Sequence, residues 1–137
     1  MYHVEEEYDR YVKYYGGRLV SADDPCREIK VGRKALGITQ EELGALLNLR
    51  RETISRIENG AIRPTFDFVI KFSRTLAAAK VIRELQALSE VKDGGMTLPG
   101  INILRSYFNL PRKDLEMISE IGIKGYQKSR AKILKNL

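Results

Sequence analysis

The residues of this chain best suited to chemistry on a partner are Arg51, Glu52, Ser55 and Arg56, on one side of a short amphipathic segment whose other side carries Ile54 and Ile57. An arginine donates two parallel hydrogen bonds to O6 and N7 of guanine, and a glutamate accepts from the amino group of cytosine. This face therefore has the donors and acceptors to read the edges of G·C pairs. The plainer reading of each is a solvated surface charge. Catalysis has little to work with: the single histidine is His3, the single cysteine is Cys26, and no Gly-rich phosphate loop, paired-carboxylate arrangement or metal-ligand spacing is visible. No cofactor and no metal are expected, and one cysteine excludes a disulfide within the chain.

The elements that must present that face can be read from the same stretch. Thr39 followed by Glu42 is a capping-box signature, which starts a helix at Gln40. Leu43, Leu47, Leu49, Ile54 and Ile57 are spaced for two short helices around a tight turn. Gly44 is small where the two must cross closely, and Asn48 stands where the turn requires a left-handed residue. In such a pair the second helix, residues 51–58, enters the major groove by its N-terminal residues, while the first points its own N-terminus at a phosphate. Gln40 is therefore a candidate phosphate contact. Arg50, Asn59 and Arg63 flank the groove and are expected to hold phosphates, which position the helix without reading sequence. Arg50 occupies the N-cap of the second helix but cannot accept a capping bond, which again favours a phosphate role.

Three motifs carry a resemblance beyond this pattern: Leu36-Gly-Ile-Thr-Gln-Glu-Glu-Leu43, Thr53-Ile-Ser-Arg-Ile-Glu-Asn-Gly60 and Arg63-Pro-Thr-Phe66. In order and spacing they resemble the Cro/C1-type (Xre) family of phage and prokaryotic repressor DNA-binding domains, from Asp24 to Ala79. The resemblance implies an all-α, lambda-repressor-like helix-turn-helix domain, and a transcriptional regulator, a repressor, that binds double-stranded DNA at a palindromic operator as a homodimer. Asn48 departs from the usual turn glycine, and Arg50 from the commoner Ser or Thr cap. The same fold also serves as a protein-interaction module in antitoxins and bridging factors. Exposed arginines at 51 and 56 favour DNA over that alternative.

The motif needs only about 60 residues, so the rest of a 137-residue chain requires its own explanation. Three parts are expected: an N-terminal helical arm over 1–23, the DNA-binding domain over 24–93, and a C-terminal helical extension over 94–137. In the arm, Val4, Tyr8, Tyr11, Val12 and Tyr15 share one helical face, Gly16-Gly17 should end the helix, and Arg18 to Val20 should run extended. Asp24-Pro25 opens the next helix as N-cap and first residue. Its inner stripe is Ile29, Arg33 and Leu36, and an arginine there needs a counter-charge if buried. Glu58, one turn beyond Ile54, is the natural partner, and the resembling family pairs the matching positions; otherwise the Arg33 head snorkels to water.

Pro64-Thr65 starts a further helix, with Phe66, Val69, Ile70, Phe72 and Leu76 completing the small core. Val81, Ile82, Leu85 and Leu88 continue an apolar stripe to Asp93-Gly94-Gly95, the expected domain boundary. The extension begins at Leu98-Pro-Gly-Ile101 and breaks at Asn109-Leu-Pro111. Residues 112–120 and 125–136 then read as two helices joined at Ile121-Gly-Ile-Lys-Gly125, with a faint likeness to a helix-hairpin-helix phosphate-binding element or to a second helix-turn-helix.

The formal charge of +6 is uneven. Residues 1–24 hold three basic and six acidic side chains, residues 25–93 thirteen and nine, and residues 112–137 seven and three. The motif and the tail are the basic parts, a balance that favours a polyanion partner. No apolar run approaches 18 residues, so no membrane span is expected and the location should be cytoplasmic and nucleoid-associated. Apolar side chains on the flanks exceed what the motif needs: Tyr8, Tyr11 and Tyr15 in front, Ile103, Tyr107 and Phe108 in the tail, Ile133, Leu134 and Leu137 at the end. An isologous dimer interface should cover them, the alternative being packing of both flanks on the domain itself.

Overall fold

The computed structural model describes residues 2–93 and 105–135, with side chains throughout except at 89–93, 125–131 and 133. Its elements are all helical: α1 (Val4–Ser21), α2 (Pro25–Ala35), α3 (Gln40–Leu47), α4 (Arg51–Glu58), α5 (Phe66–Asp93) and α6 (Arg112–Lys135), with one further helical turn at 105–107. Gly94-Gly95, the segment Leu98 to Ile101, Ile103, Leu104 and Leu137 lie outside the described residues.

The 28 residues of α5 make it about 42 Å long. A surface helix keeps its apolar residues on one stripe, whereas Phe68, Phe72, Leu76, Ala77, Ala78, Val81 and Ile82 bury more than one side of α5. It can do so because it is covered from two directions: α1 packs along it more extensively than any other pair of helices meet, and α6 packs on it next. Thr65 starts α5, its hydroxyl accepting from the N–H of Phe68 at 3.1 Å. The expected Phe72 and Leu76 are buried, but Phe66 is exposed at 84% and Ile70 is exposed too, and Phe68, not among the expected core residues, is buried in their place. Of the expected downstream stripe, Val81 and Ile82 are fully buried, Leu85 is half-buried and Leu88 is exposed.

The flanks belong to the same core as the motif. Tyr8 and Leu19 from α1, and Phe108, Leu115, Ile118 and Ile121 from the C-terminal part, join Ile29, Leu43, Ile54 and Leu76 in one cluster of buried apolar residues. The Tyr8 and Phe108 rings meet with centroids 4.7 Å apart. Tyr2 and Tyr11 both donate from their hydroxyls to the Glu84 carboxylate of α5, Tyr2 at 2.6 Å. Burial and that carboxylate push the Tyr11 phenol up to about 12. Of the apolar side chains expected to meet a partner copy, Tyr8 and Phe108 are therefore buried and Tyr11 and Tyr15 half-buried within the chain itself, whereas Tyr107 and Leu134 stay exposed.

Two expected breaks are absent. Helix α1 runs through Gly16-Gly17 to Ser21, so Arg18 to Val20 are helical, and α6 runs through Ile121 to Gly125 as one helix rather than two. Gly16 and Gly122 are there for proximity. A Cβ at Gly16 would lie 3.3 Å from Ser73 Oγ, and one at Gly122 would lie 3.2 Å from Gln86 Oε1, so both let a helix approach α5 closely. The cost of glycine within a helix, about 1 kcal/mol, is offset by the packing this permits.

A shared core predicts shared stability. Leu115→Ala, which removes a fully buried side chain of α6, should cost about 2 to 5 kcal/mol. Denaturant melts followed by tyrosine fluorescence and by far-UV circular dichroism should show one coincident transition shifted as a whole; an unshifted transition for residues 24–93, followed by amide exchange, would make the flanks an independent unit.

Candidate nucleic-acid interface

Helix α3 begins with the capping box its sequence specifies: Thr39 Oγ1 accepts from the N–H of Glu42 at 3.0 Å, and Glu42 Oε1 accepts from the N–H of Thr39 at 2.9 Å. At its other end Asn48 takes the left-handed conformation, φ 57° and ψ 44°, and the Leu49 N–H donates to the Gly44 carbonyl at 2.7 Å. The chain turns so tightly here that a Cβ at Gly44 would lie 2.5 Å from the Leu49 carbonyl oxygen. The glycine thus makes room for the backbone of the turn. Helix α4 then runs from Arg51 to Glu58 with Ile54 and Ile57 buried. Arg50 is its N-cap residue, with no side-chain capping bond.

Beneath α4 lies a buried ion pair. Arg33 on α2 donates from Nε to Glu58 Oε2 at 2.7 Å and from Nη2 to Glu58 Oε1 at 3.0 Å, a bidentate arrangement, while its Nη1 donates to the Ile38 carbonyl at 2.8 Å. Gln40 adds a fourth bond, Nε2 to Glu58 Oε1 at 3.1 Å. The Gln40 side chain, a candidate phosphate contact from sequence, is thus turned inward onto the ion pair. What α3 still offers outward at this end are the backbone N–H groups of Gln40 and Glu41, since those of Thr39 and Glu42 are engaged within the capping box.

On the opposite side of α4, Arg51, Glu52 and Arg56 are exposed and Ser55 is half-buried. Arg51 Nη2 stands 3.9 Å from Glu52 Oε1, a loose pair between exposed groups that contributes little and is easily exchanged for another partner. Asn59 Nδ2 donates weakly to Ser55 Oγ at 3.4 Å. Arg50, Asn59 and Arg63 are exposed at the two ends of α4. Ile54, Ile57 and Glu58 face inward, so the helix presents a wholly polar outer surface on a rigid buried base. Residues 29–77, which contain α3, the turn and α4, match the family model described as helix-turn-helix. They belong to the helix-turn-helix family of the Cro/C1 type. No curated protein and no solved structure matches the chain.

This helix-turn-helix domain is of a DNA-binding regulatory kind. Among the described residues there is no cluster of three or more His, Cys, Asp or Glu side chains able to hold a metal ion, and no helix is long and apolar enough to cross a membrane. Two supporting residues lie outside the reach of sequence reasoning. Arg83 on α5 donates from Nη2 to the Leu36 carbonyl at 2.7 Å, satisfying the C-terminal end of α2 beside the ion pair. Glu84, its neighbour, anchors Tyr2 and Tyr11. Neither belongs to a local motif, and each works across more than 40 positions of sequence.

The buried pair carries a sharp expectation. Glu58→Ala leaves the Arg33 guanidinium buried without its carboxylate and should cost about 3 to 5 kcal/mol, whereas Arg33→Met combined with Glu58→Leu should recover much of that loss. Thermal melts of the two variants make the comparison; an unchanged midpoint for Glu58→Ala would mean that the pair does not form.

Proposed function

We propose that this protein is a sequence-specific transcriptional regulator, a repressor, that inserts α4 into the major groove of double-stranded DNA. The observation that carries the reading is the outer face of α4, where Arg51, Glu52 and Arg56 are free of the core while Ile54, Ile57 and Glu58 anchor the helix beneath. Arg51 and Arg56 donate to guanine, Glu52 accepts from a cytosine amino group, and Ser55 adds a short hydroxyl contact. Arg50, Asn59 and Arg63 hold phosphates, joined by the backbone at the start of α3 near Gln40. The protein acts in the cytoplasm, on the nucleoid.

Two copies pair on a palindromic operator, because one α4 reads only a short half-site. Tyr8, Tyr11, Tyr15 and Phe108 are used internally, so the pairing surface is assigned to the apolar side chains exposed beside the motif: Phe66 and Ile70, one turn apart on α5, with Leu49 lining the same hollow as Ile70.

Selection from a random duplex library followed by titration on the selected site tests the DNA reading. Arg51→Ala and Arg56→Ala should each weaken specific binding by about 1 to 3 kcal/mol and relax base preference, while Arg63→Ala should weaken all sequences alike. Wild-type affinity and selectivity in both α4 variants would overturn the docking, and failure to select any sequence would favour a protein-interaction module.

Light scattering tests the pairing. The full chain should be dimeric at micromolar concentration and Phe66→Glu should shift it to monomer, because this 84% exposed side chain can be changed without disturbing the core. A monomeric wild-type chain, or a dimer indifferent to the substitution, rejects the assignment.

A further inference from the structure

Away from α4, a groove of about 420 Å³ opens between α1, α2 and α5, within the size range of small-molecule sites. Its floor is apolar, formed by Leu19, Phe72 and Gly32. Gly32 lets α2 lie close on α5 there: a Cβ would stand 3.1 Å from Leu76 Cδ2 and 3.6 Å from Phe72 Cζ. The walls are aromatic and cationic. Tyr14 and Tyr15 meet edge to face with centroids 5.3 Å apart, and Tyr11 closes the side.

Three cations, Arg10, Arg18 and Lys80, line the groove against one carboxylate, Glu28. Two of the cations are already engaged. Arg10 pairs with Glu7 and lies over the Tyr11 ring, and Arg18 donates from Nε to Glu28 Oε2 at 2.9 Å, which also neutralises the only acid in the lining. Lys80 is different. It is half-buried on α5, yet its ammonium has no ion-pair or hydrogen-bond partner among the described residues. The hydroxyl of half-buried Tyr15 likewise has no hydrogen-bond partner there, and burial pushes its phenol up to about 12, so it stays protonated and able to donate at neutral pH. A half-desolvated cation and a phenol left unpaired at the mouth of an apolar, ring-lined groove lack an acceptor that carries negative charge.

We propose that this groove binds a small planar aromatic anion, its ring against Tyr14, Tyr15 and Phe72 and its charged group on the Lys80 ammonium and the Tyr15 hydroxyl. A neutral ring would leave Lys80 unpaired, and a cationic one would meet an excess of positive charge. The site needs nothing from α4 and stands whether or not the protein binds DNA.

The probe is 2-naphthoate, titrated into the isotopically labelled full chain and followed by two-dimensional amide NMR, with 2-naphthamide as its uncharged counterpart. Saturable shifts confined to the residues of α1, α2 and α5 around the groove are expected with the acid. Binding should weaken about tenfold with the amide and about tenfold in Lys80→Met, the loss expected for a charge-assisted hydrogen bond. Tyr15→Phe should weaken it less, and Lys113→Met, on the far α6, should leave it unchanged, with the wild-type dispersion of each variant's spectrum showing that it is folded. Equal affinity for acid and amide, insensitivity to Lys80→Met in a folded variant, or shifts that never saturate or spread over the whole chain would each overturn the proposal.

Discussion

The posture of α4 depends on one buried carboxylate. Glu58 closes that helix, and it accepts from Arg33 of α2 twice and from Gln40 at the start of α3, while the same guanidinium reaches the Ile38 carbonyl in the link between α2 and α3. Four segments therefore meet at a single point whose desolvation cost is tolerable only while every bond is made. A helix held by apolar contacts alone could slide by a fraction of a turn at small cost. One tied by a bidentate charge pair cannot, and the outer face of α4 inherits that definition.

The second constraint is α5, because everything outside the motif is arranged to cover it. A small domain of this kind buries too little apolar surface to be more than marginally stable, and α1 and α6 enlarge its core rather than forming cores of their own. Tyr2 and Tyr11 fasten α1 to Glu84 on a stretch of α5 where Arg83 already holds the end of α2. The ion pair and the flanking helix α1 are thus linked through neighbouring residues of one helix, and α1 packs on α2 as well as on α5.

What could be read from sequence follows the range of the interaction behind it. The capping box, the left-handed Asn48, the Asp24 cap and the bounds of α4 rest on contacts within a few residues, and each appears where its local signature stands. The partnership of Arg33 with Glu58 spans 25 positions, but each lies on the inward side of its own helix, so periodicity brought them together. Glycine misled in both flanks because its two uses look alike in sequence. A glycine that ends a helix and one that lets a helix approach its neighbour differ only in what stands opposite, and Ser73 opposite Gly16 or Gln86 opposite Gly122 is a tertiary fact. The start of α5 misled for a related reason. Phe66, Phe68, Ile70 and Phe72 offer apolar residues at every second position, so either phase was available until α3 and the core selected Phe68 and Phe72. The inward turn of Gln40 was hidden by its own position, since a first-turn glutamine can point either way.

That choice of phase has a consequence for the surface. With Phe68 and Phe72 inside, Phe66 and Ile70 are driven out, and Leu49, the last turn residue before the Arg50 cap of α4, stays partly exposed on the same hollow as Ile70. Besides Val20, Tyr107 and Leu134 on the flanks, apolar surface is therefore exposed at the junction of the turn with α5, two residues from the start of α4. A contact made there would fix the distance between two recognition helices through rigid backbone alone, whereas one made through α1 or α6 would pass through the packing of additional helices. If two copies pair on half-sites one helical turn apart, as proposed, a spacing of about 34 Å has to be matched, and the shorter mechanical path would serve that better.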